Sequence, residues 1–312
     1  MWCDAHLLST HNADAESLRR LLDRAADESF DADALAGRAV ANLFFEDSTR
    51  TRVSFSLAAQ RLGARVVDWT SAGSSVSKGE SLLDTFSTIE SMGFDAVVVR
   101  HAESGAASLL AEHARCAVIN AGDGTHQHPT QALADALALG EALDRDRGWD
   151  FSGLTVAIVG DCVSSRVARS NVGTLTALGA RVVLVGPDAM APSALGEALG
   201  CEVSNDLDAV LPEIDAAMML RIQLERGAGS LLPEGFDYTG RFGLTRERFD
   251  RLSDGAVVMH PGPMNRGVEI DGVVADSTQS IILKQVEAGV RVRMAVLDEA
   301  IVRRSASSRV QS

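Results

Sequence analysis

The chain has 312 residues, enough for two domains of ordinary size, and its 46% hydrophobic and 23% charged residues are the balance of a soluble globular protein. A formal charge of −14 argues against nucleic acid or an anionic membrane as a partner, and it makes any local cluster of arginines informative. Cys3, Cys116, Cys162 and Cys201 are scattered without paired spacing, and no stretch resembles a leader or a membrane span, so a reduced, cytoplasmic setting is expected.

Along the chain, Leu18, Leu21, Leu22 and Ala25 fall at helical spacing after candidate caps at Asn12 or Asp14. Strand-like apolar runs follow at 39–45, 65–69, 95–99 and 116–120, each succeeded by a helical segment. A second series occupies 154–159, 181–185, 215–220 and 256–259, and a long helical pattern fills 279–302. Such alternation predicts an α/β protein with two domains, each a parallel sheet flanked by helices. The charged run 143–151, ending in Gly148-Trp149-Asp150, is the candidate link, which gives domains at 1–142 and 143–287.

Ligands of open parallel sheets bind outside the carboxyl ends of strands, and polar or basic motifs fall there repeatedly. Ser48-Thr49-Arg50-Thr51-Arg52 stands between the run ending at Phe45 and a helix-like stretch. Free backbone N–H groups at a helix start, three hydroxyls and two guanidiniums together suit phosphate oxygens. The same residues can also be a plain N-cap with solvated arginines, and the rest of the chain decides between the two. Arg100-His101 ends the third run, and His126-Gln127-His128-Pro129-Thr130-Gln131 follows the fourth. Arg166, Arg221-Ile222-Gln223 and His260-Pro261-Gly262-Pro263 occupy equivalent places in the second series, which points to one shared cleft. The chain has only two lysines, and one of them, Lys78, sits in a polar loop suited to closing over a site.

Several chemistries lack their residues. His126-x-His128 has no further ligand at metal spacing, so no metal is expected. Gly160-Asp161 follows a strand without the remaining dinucleotide glycines, so neither a nicotinamide nor a flavin cofactor is expected. No P-loop or nucleophile elbow occurs, and the cysteines have no activating partner. An excess of anion-binding groups without nucleophile or cofactor suits an enzyme that orients two anionic substrates and stabilises the charge that develops between them.

As a set, these motifs resemble the aspartate/ornithine carbamoyltransferase family over nearly the whole length. The resemblance rests on F-x-E-x-S-T-R-T-R at 44–52, S-x-x-K-G-E at 75–80, V-x-R-H at 98–101, H-P-T-Q at 128–131, R-x-Q at 221–223 and H-P-G-P at 260–263. It implies a carbamoyl-phosphate domain, an amino-acid domain, and a C-terminal helix, about 288–304, that returns to the first domain. By resemblance, Ser48, Thr49, Arg50 and Thr51 hold the phosphate, Arg100 also contacts carbamoyl phosphate, and His128 and Gln131 address its carbamoyl end. Arg100, His128 and Thr51 would polarise the carbonyl, and Arg50 would offset charge on the departing phosphate. Ser74 (or Ser75) and Lys78 would enter from a neighbouring subunit, Lys78 also reaching the amino acid, which makes a homotrimer the minimal active assembly. Arg166, Arg221 and Gln223 would bind the carboxylates of aspartate. Pro261 and Gly262 would border carbamoyl phosphate, their backbone positioning the amine.

Ornithine is the rival acceptor. That branch of the family carries a cysteine where Gly262 stands, and a Ser-Met-Gly segment for the second amine; the only such tripeptide here, Ser91-Met92-Gly93, lies in the first domain. Two arginines and a glutamine suit a dicarboxylic acid, so aspartate is expected. A non-catalytic member of the family would be expected to lack Arg50, Lys78, Arg100 or His128, and all four are present. Association with regulatory or dihydroorotase chains is left open.

Overall fold

A computed structural model describes residues 1–27, 29–70, 79–222 and 231–310. The chain divides into two compact units, Met1–Leu133 with Ala288–Ser312, and Ala134–Glu287. The first unit contains β1 (Trp2–Cys3), β2 (His6–Leu7), α1 (Ala15–Ala26), β3 (Ala39–Phe44), α2 (Thr49–Arg61), β4 (Arg65–Thr70), α3 (Leu82–Glu90), β5 (Ala96–His101), α4 (Ala106–His113) and β6 (Ala117–Asp123). Helix α5 (Pro129–Ala142) leaves this unit. The second contains β7 (Thr155–Val159), α6 (Arg166–Ala177), β8 (Arg181–Val185), α7 (Ser193–Leu199), β9 (Glu202–Ser204), α8 (Leu207–Val210), β10 (Ala216–Met219), α9 (Tyr238–Phe242), α10 (Arg246–Phe249), β11 (Val257–Met259) and α11 (Gly272–Ala275). Helix α12 (Ile282–Val310) closes the chain.

The first sheet runs β1-β2-β6-β5-β3-β4 and is parallel except for the β1–β2 pair. Every residue of β6 is buried, as expected where helices cover both faces, including Asn120 in its middle and Asp123 at its end. Strand β4, at the edge, has no fully buried position. Ala41, Leu43, Val97, Val99 and Val118 from three adjacent strands meet Phe86, Ile89 and Leu110 of α3 and α4 in one core cluster. The later part of α12 belongs to this unit. Ala288, Val292, Ala295, Val296 and Ala300 are fully buried at helical spacing. Arg20–Glu299 at 3.1 Å and Arg24–Asp298 at 3.4 Å join it to α1. Such partly exposed pairs contribute about 0–1 kcal/mol each, so the apolar stripe rather than the ion pairs holds the helix.

The second sheet runs β11-β10-β7-β8-β9, all parallel. Its core gathers Ala157, Val159, Val183, Val185, Ala217, Met219 and Val258 with Leu207, Leu211, Phe242 and Val274. In the segment expected as a link, Trp149 and Phe151 are fully buried. A Cβ on Gly140 would lie 2.6 Å from the Trp149 ring, so the glycine is what lets the indole lie against α5. Strands β1, β2 and β9 have no counterpart in the sequence reading, because two or three residues carry no measurable period.

Candidate active site

Each sheet has one point where strand order reverses, and in parallel sheets a crevice forms there. In the first unit it lies between β3 and β5, since β3 is followed in sequence by its outer neighbour β4 and flanked on the other side by β5. The residues leaving β3 are Phe45, Glu46, Asp47 and Ser48, and α2 begins at Thr49. Ser48 is of a type that caps helices, yet its hydroxyl makes no capping bond, and the first turn of α2 has no acidic residue. By contrast, Asp14, Ser81 and Ser165 each accept a backbone N–H at the starts of α1, α3 and α6. The α2 start therefore keeps its orphan donors and positive dipole end for another acceptor.

Helix α2 buries Thr51, Ser54, Phe55, Ala58 and Ala59, a stripe at spacings of three and four. That stripe fixes the rotation of the helix, with Thr51 inward, Ser48 half-buried, and Thr49 and Arg50 exposed. Ser54 Oγ donates to the Thr51 carbonyl at 2.9 Å. Ser56 Oγ donates to Asp68 at 2.8 Å and accepts from Asn42 Nδ2 at 2.9 Å, tying α2 to β3 and β4.

Arg100 is the second-last residue of β5 and pairs in register with Phe44. Its Nε lies 3.5 Å from Glu46 Oε2, with the two side chains 13% and 11% exposed, and Nη1 donates to the Ala121 carbonyl of β6 at 3.2 Å. The guanidinium thus spans the ends of β3, β5 and β6. Beyond β6 the chain turns around Asp123, whose carboxylate is 1% exposed. It accepts from Gly105 N (2.7 Å), Asn120 Nδ2 (2.9 Å) and Gln127 N (3.0 Å), and pairs with His126 Nδ1 at 3.0 Å. This turn delivers His128, 4% exposed, to the start of α5, with Gln131 half-buried in the next turn. His126 is half-buried and His128 buried, and no group of three or more His, Cys, Asp or Glu able to hold a metal occurs among the described residues.

In the second unit the reversal lies between β7 and β10. Gly160 leaves β7 at φ +136°, and a Cβ there would lie 3.0 Å from Leu220 Cβ, so the two strand ends approach as closely as glycine allows. Asp161 accepts from Ser164 N at 3.1 Å, and Ser165 caps α6, which opens with Arg166. Arg221, half-buried, follows β10. Next along the sheet, β11 leads into His260, 1% exposed, and the half-buried Pro261 and Gly262. His260 Nδ1 accepts the Gly262 N–H at 2.8 Å, and Nε2 meets Glu269 Oε1 at 3.2 Å.

Seven of the predicted groups therefore gather at the β3–β5–β6 ends of the first unit: Ser48, Thr49, Arg50, Thr51, Arg100, His128 and Gln131. Arg166, Arg221, Pro261 and Gly262 gather at the β7–β10–β11 ends of the second. Ser74, Ser75, Lys78 and Gln223 lie outside the described residues. Glu46, Asp123 and Glu269 received no role from sequence, although Glu46 stands inside the quoted 44–52 motif. Burial pushes the thiols of Cys162 and Cys116 well up, and burial with Glu202 pushes Cys201 up to about 11, so none of these three is a thiolate at neutral pH.

Two parallel sheets, each presenting cationic and polar side chains at its switch point, define an α/β protein built to bind small anions. Known proteins give that class a family. The profile described as the aspartate/ornithine carbamoyltransferase carbamoyl-P binding domain matches residues 5–141, and that of the Asp/Orn binding domain matches 152–299. The aspartate carbamoyltransferase catalytic subunit of Myxococcus xanthus is 54% identical over 297 residues, covering 94% of this chain and 98% of its own. That of Gluconacetobacter diazotrophicus is 57% identical over 266 residues, covering 85% and 81%. A crystal structure of Trypanosoma cruzi aspartate transcarbamoylase in complex with carbamoyl phosphate and aspartate has a TM-score of 0.83 at 29% identity, covering 94% of this chain and 96% of that one. The same enzyme in complex with N-(phosphonacetyl)-L-aspartic acid gives 0.81 at 28%, covering 94% and 95%. The chain belongs to the aspartate/ornithine carbamoyltransferase family.

Proposed function

We propose that this chain transfers the carbamoyl group of carbamoyl phosphate to the amine of L-aspartate, giving N-carbamoyl-L-aspartate and phosphate, a step of de novo pyrimidine synthesis. The observation that carries this reading is the uncapped, acid-free start of α2, set with hydroxyls and Arg50 beside the guanidinium of Arg100. We assign residues 1–142 with about 288–304 to carbamoyl phosphate, and 143–287 to aspartate.

In this reading Ser48, Thr49, Arg50 and Thr51 hold the phosphate by charge-assisted bonds and the α2 dipole. The neutral amine attacks the carbonyl carbon, and the carbonyl oxygen takes up negative charge as the C–N bond forms. Arg100, Thr51 and His128 donate toward that oxygen, while Gln131 orients the carbamoyl amide. The C–O bond to phosphate then breaks and phosphate leaves with the electron pair, its charge offset by Arg50. The amine's surplus proton leaves with the phosphate or to water. Arg166, Arg221 and Gln223 bind the two carboxylates, and Pro261 and Gly262 place the amine. A homotrimer in the cytoplasm, with Ser74 (or Ser75) and Lys78 contributed by a neighbouring subunit, completes the proposal.

The test is a carbamoylation assay with aspartate and ornithine side by side. Aspartate should be turned over and ornithine should not; equal or faster use of ornithine would overturn the acceptor assignment. A phosphonate joined covalently to aspartate should also bind at least about a hundredfold more tightly than inorganic phosphate, because one association cost is removed when both anions are linked. Affinity no better than that of phosphate would mean that the two substrates do not meet.

A further inference from the structure

The acceptor-binding segments assigned above are joined by a continuous line of buried polar groups, all within the second unit. Asn171, Asp135, Glu269, His260 and Gln285 are each between 0% and 3% exposed. At one end, Asn171 Nδ2 donates to the Val167 carbonyl (3.1 Å) and to Asp135 Oδ2 (2.8 Å). Asp135 Oδ1 accepts from Gln285 Nε2 at 2.8 Å, and Gln285 Oε1 accepts the His260 N–H at 2.9 Å. His260 Nδ1 accepts from Gly262 N at 2.8 Å, so its proton sits on Nε2, which donates to Glu269 Oε1 at 3.2 Å. Glu269 also accepts from Asn265 N and, at 3.5 Å, from Ile222 N, while Asn265 Nδ2 donates to the Ile222 carbonyl at 2.8 Å.

Two properties of this line matter. The Asp135 carboxylate can only accept and the His260 N–H can only donate, which fixes the amide of Gln285 between them, while the Gly262 N–H fixes the ring of His260 toward Glu269. Its contacts to backbone also fall beside the assigned acceptor ligands: on Val167 next to Arg166, on Ile222 between Arg221 and Gln223, and on Gly262 itself. The first turn of α6 and the segments that follow β10 and β11 are thereby registered against one another. Apolar packing alone would not specify their relative positions so narrowly.

We propose that Asp135, Gln285, His260 and Glu269 are positioning residues for the acidic acceptor: they fix the backbone at 167, 222 and 262 and so set affinity for aspartate, leaving the carbamoyl-phosphate groups of the first unit unaffected. This rests on the acceptor assignment, which wild-type turnover of aspartate tests first and separately.

The decisive experiment is a polarity swap. Gln285→Glu places a carboxylate against Asp135, and Asp135→Asn places an amide against an amide donor. Combined, the amide at 135 donates to the carboxylate at 285, which still accepts the His260 N–H, and the line is restored with its charge moved. Each single variant should raise KM for aspartate about 10–100-fold, with KM for carbamoyl phosphate within about twofold of wild type. The double variant should return KM for aspartate to within about threefold. Glu269→Gln, which keeps the volume but sets an amide N–H against a backbone N–H that the carboxylate accepts, should behave like the singles and carries the test if either of them fails to fold. Singles with wild-type KM for aspartate, equal losses toward both substrates, or a folded double variant no better than the worse single would overturn the proposal.

Discussion

Replacing Arg100 by alanine is expected to lower kcat by about a thousandfold, roughly 4 kcal/mol of transition-state stabilisation. The guanidinium ends β5 beside the start of α2 and is only 13% exposed, so in the proposed reaction its charge would act on the developing oxyanion with little screening. Two effects must be separated. Removing Arg100 also takes away a cation that lies 3.5 Å from Glu46, a carboxylate 11% exposed. Losing a cation beside a carboxylate at so buried a site weakens the fold as well as the reaction. Arg100→Ala with Glu46→Gln should therefore recover melting temperature without recovering kcat. Arg100→Lys keeps the charge but not the planar fork, and should fall between wild type and alanine. If Arg100→Ala, folded and assayed at saturating substrates, stays within tenfold of wild type, the guanidinium does not stabilise the transition state.

The same residue shows how far the sequence could be read. Val97-Val98-Val99 announces a buried parallel strand, and a charged residue directly after it falls at the carboxyl end, where β5 does place Arg100. The strands expected at 39–45, 181–185 and 256–259 likewise form within a residue or so of those bounds, since parallel strands buried on both faces are continuous apolar runs, and the edge strand expected at 65–69 forms over Arg65–Thr70 without being buried. What eluded sequence are side chains whose meaning depends on remote partners. Asp135 stands on an ordinary helical pattern, and its partner Gln285 is 150 residues away. Glu269 follows a turn rich in glycine and arginine, where an acidic residue is expected to be solvated, yet it is fully buried. Glu46 was visible within a motif, but only the pairing of β3 with β5 brings it to Arg100. No period or local spacing carries such contacts.

Mixing two inactive variants is expected to restore activity if the proposed trimer shares its sites. Lys78→Ala and Arg50→Ala should each lower kcat by a few powers of ten, because each removes a charge-assisted contact to a departing phosphate. Arg50 stands in the first turn of α2, beside the strand ends that carry Arg100, so the proposal assigns it to the site of its own chain. Lys78 belongs to the polar loop that the proposal brings in from a neighbour. In a closed ring of three, an intact site needs the Arg50 of one chain and the Lys78 of the next to be wild type. A ring with two chains of one variant and one of the other contains one such junction and two broken ones. Each mixed trimer should therefore show about a third of wild-type activity, whichever variant is in excess. Dissociation, mixing and reassociation, followed by separation of the mixed species by an affinity tag on one variant, measures this directly. Activity near a third places Lys78 in the neighbour's site. Mixed trimers as inactive as their parents would mean that Lys78 and Arg50 serve the same chain, and the loop would then close over its own α2.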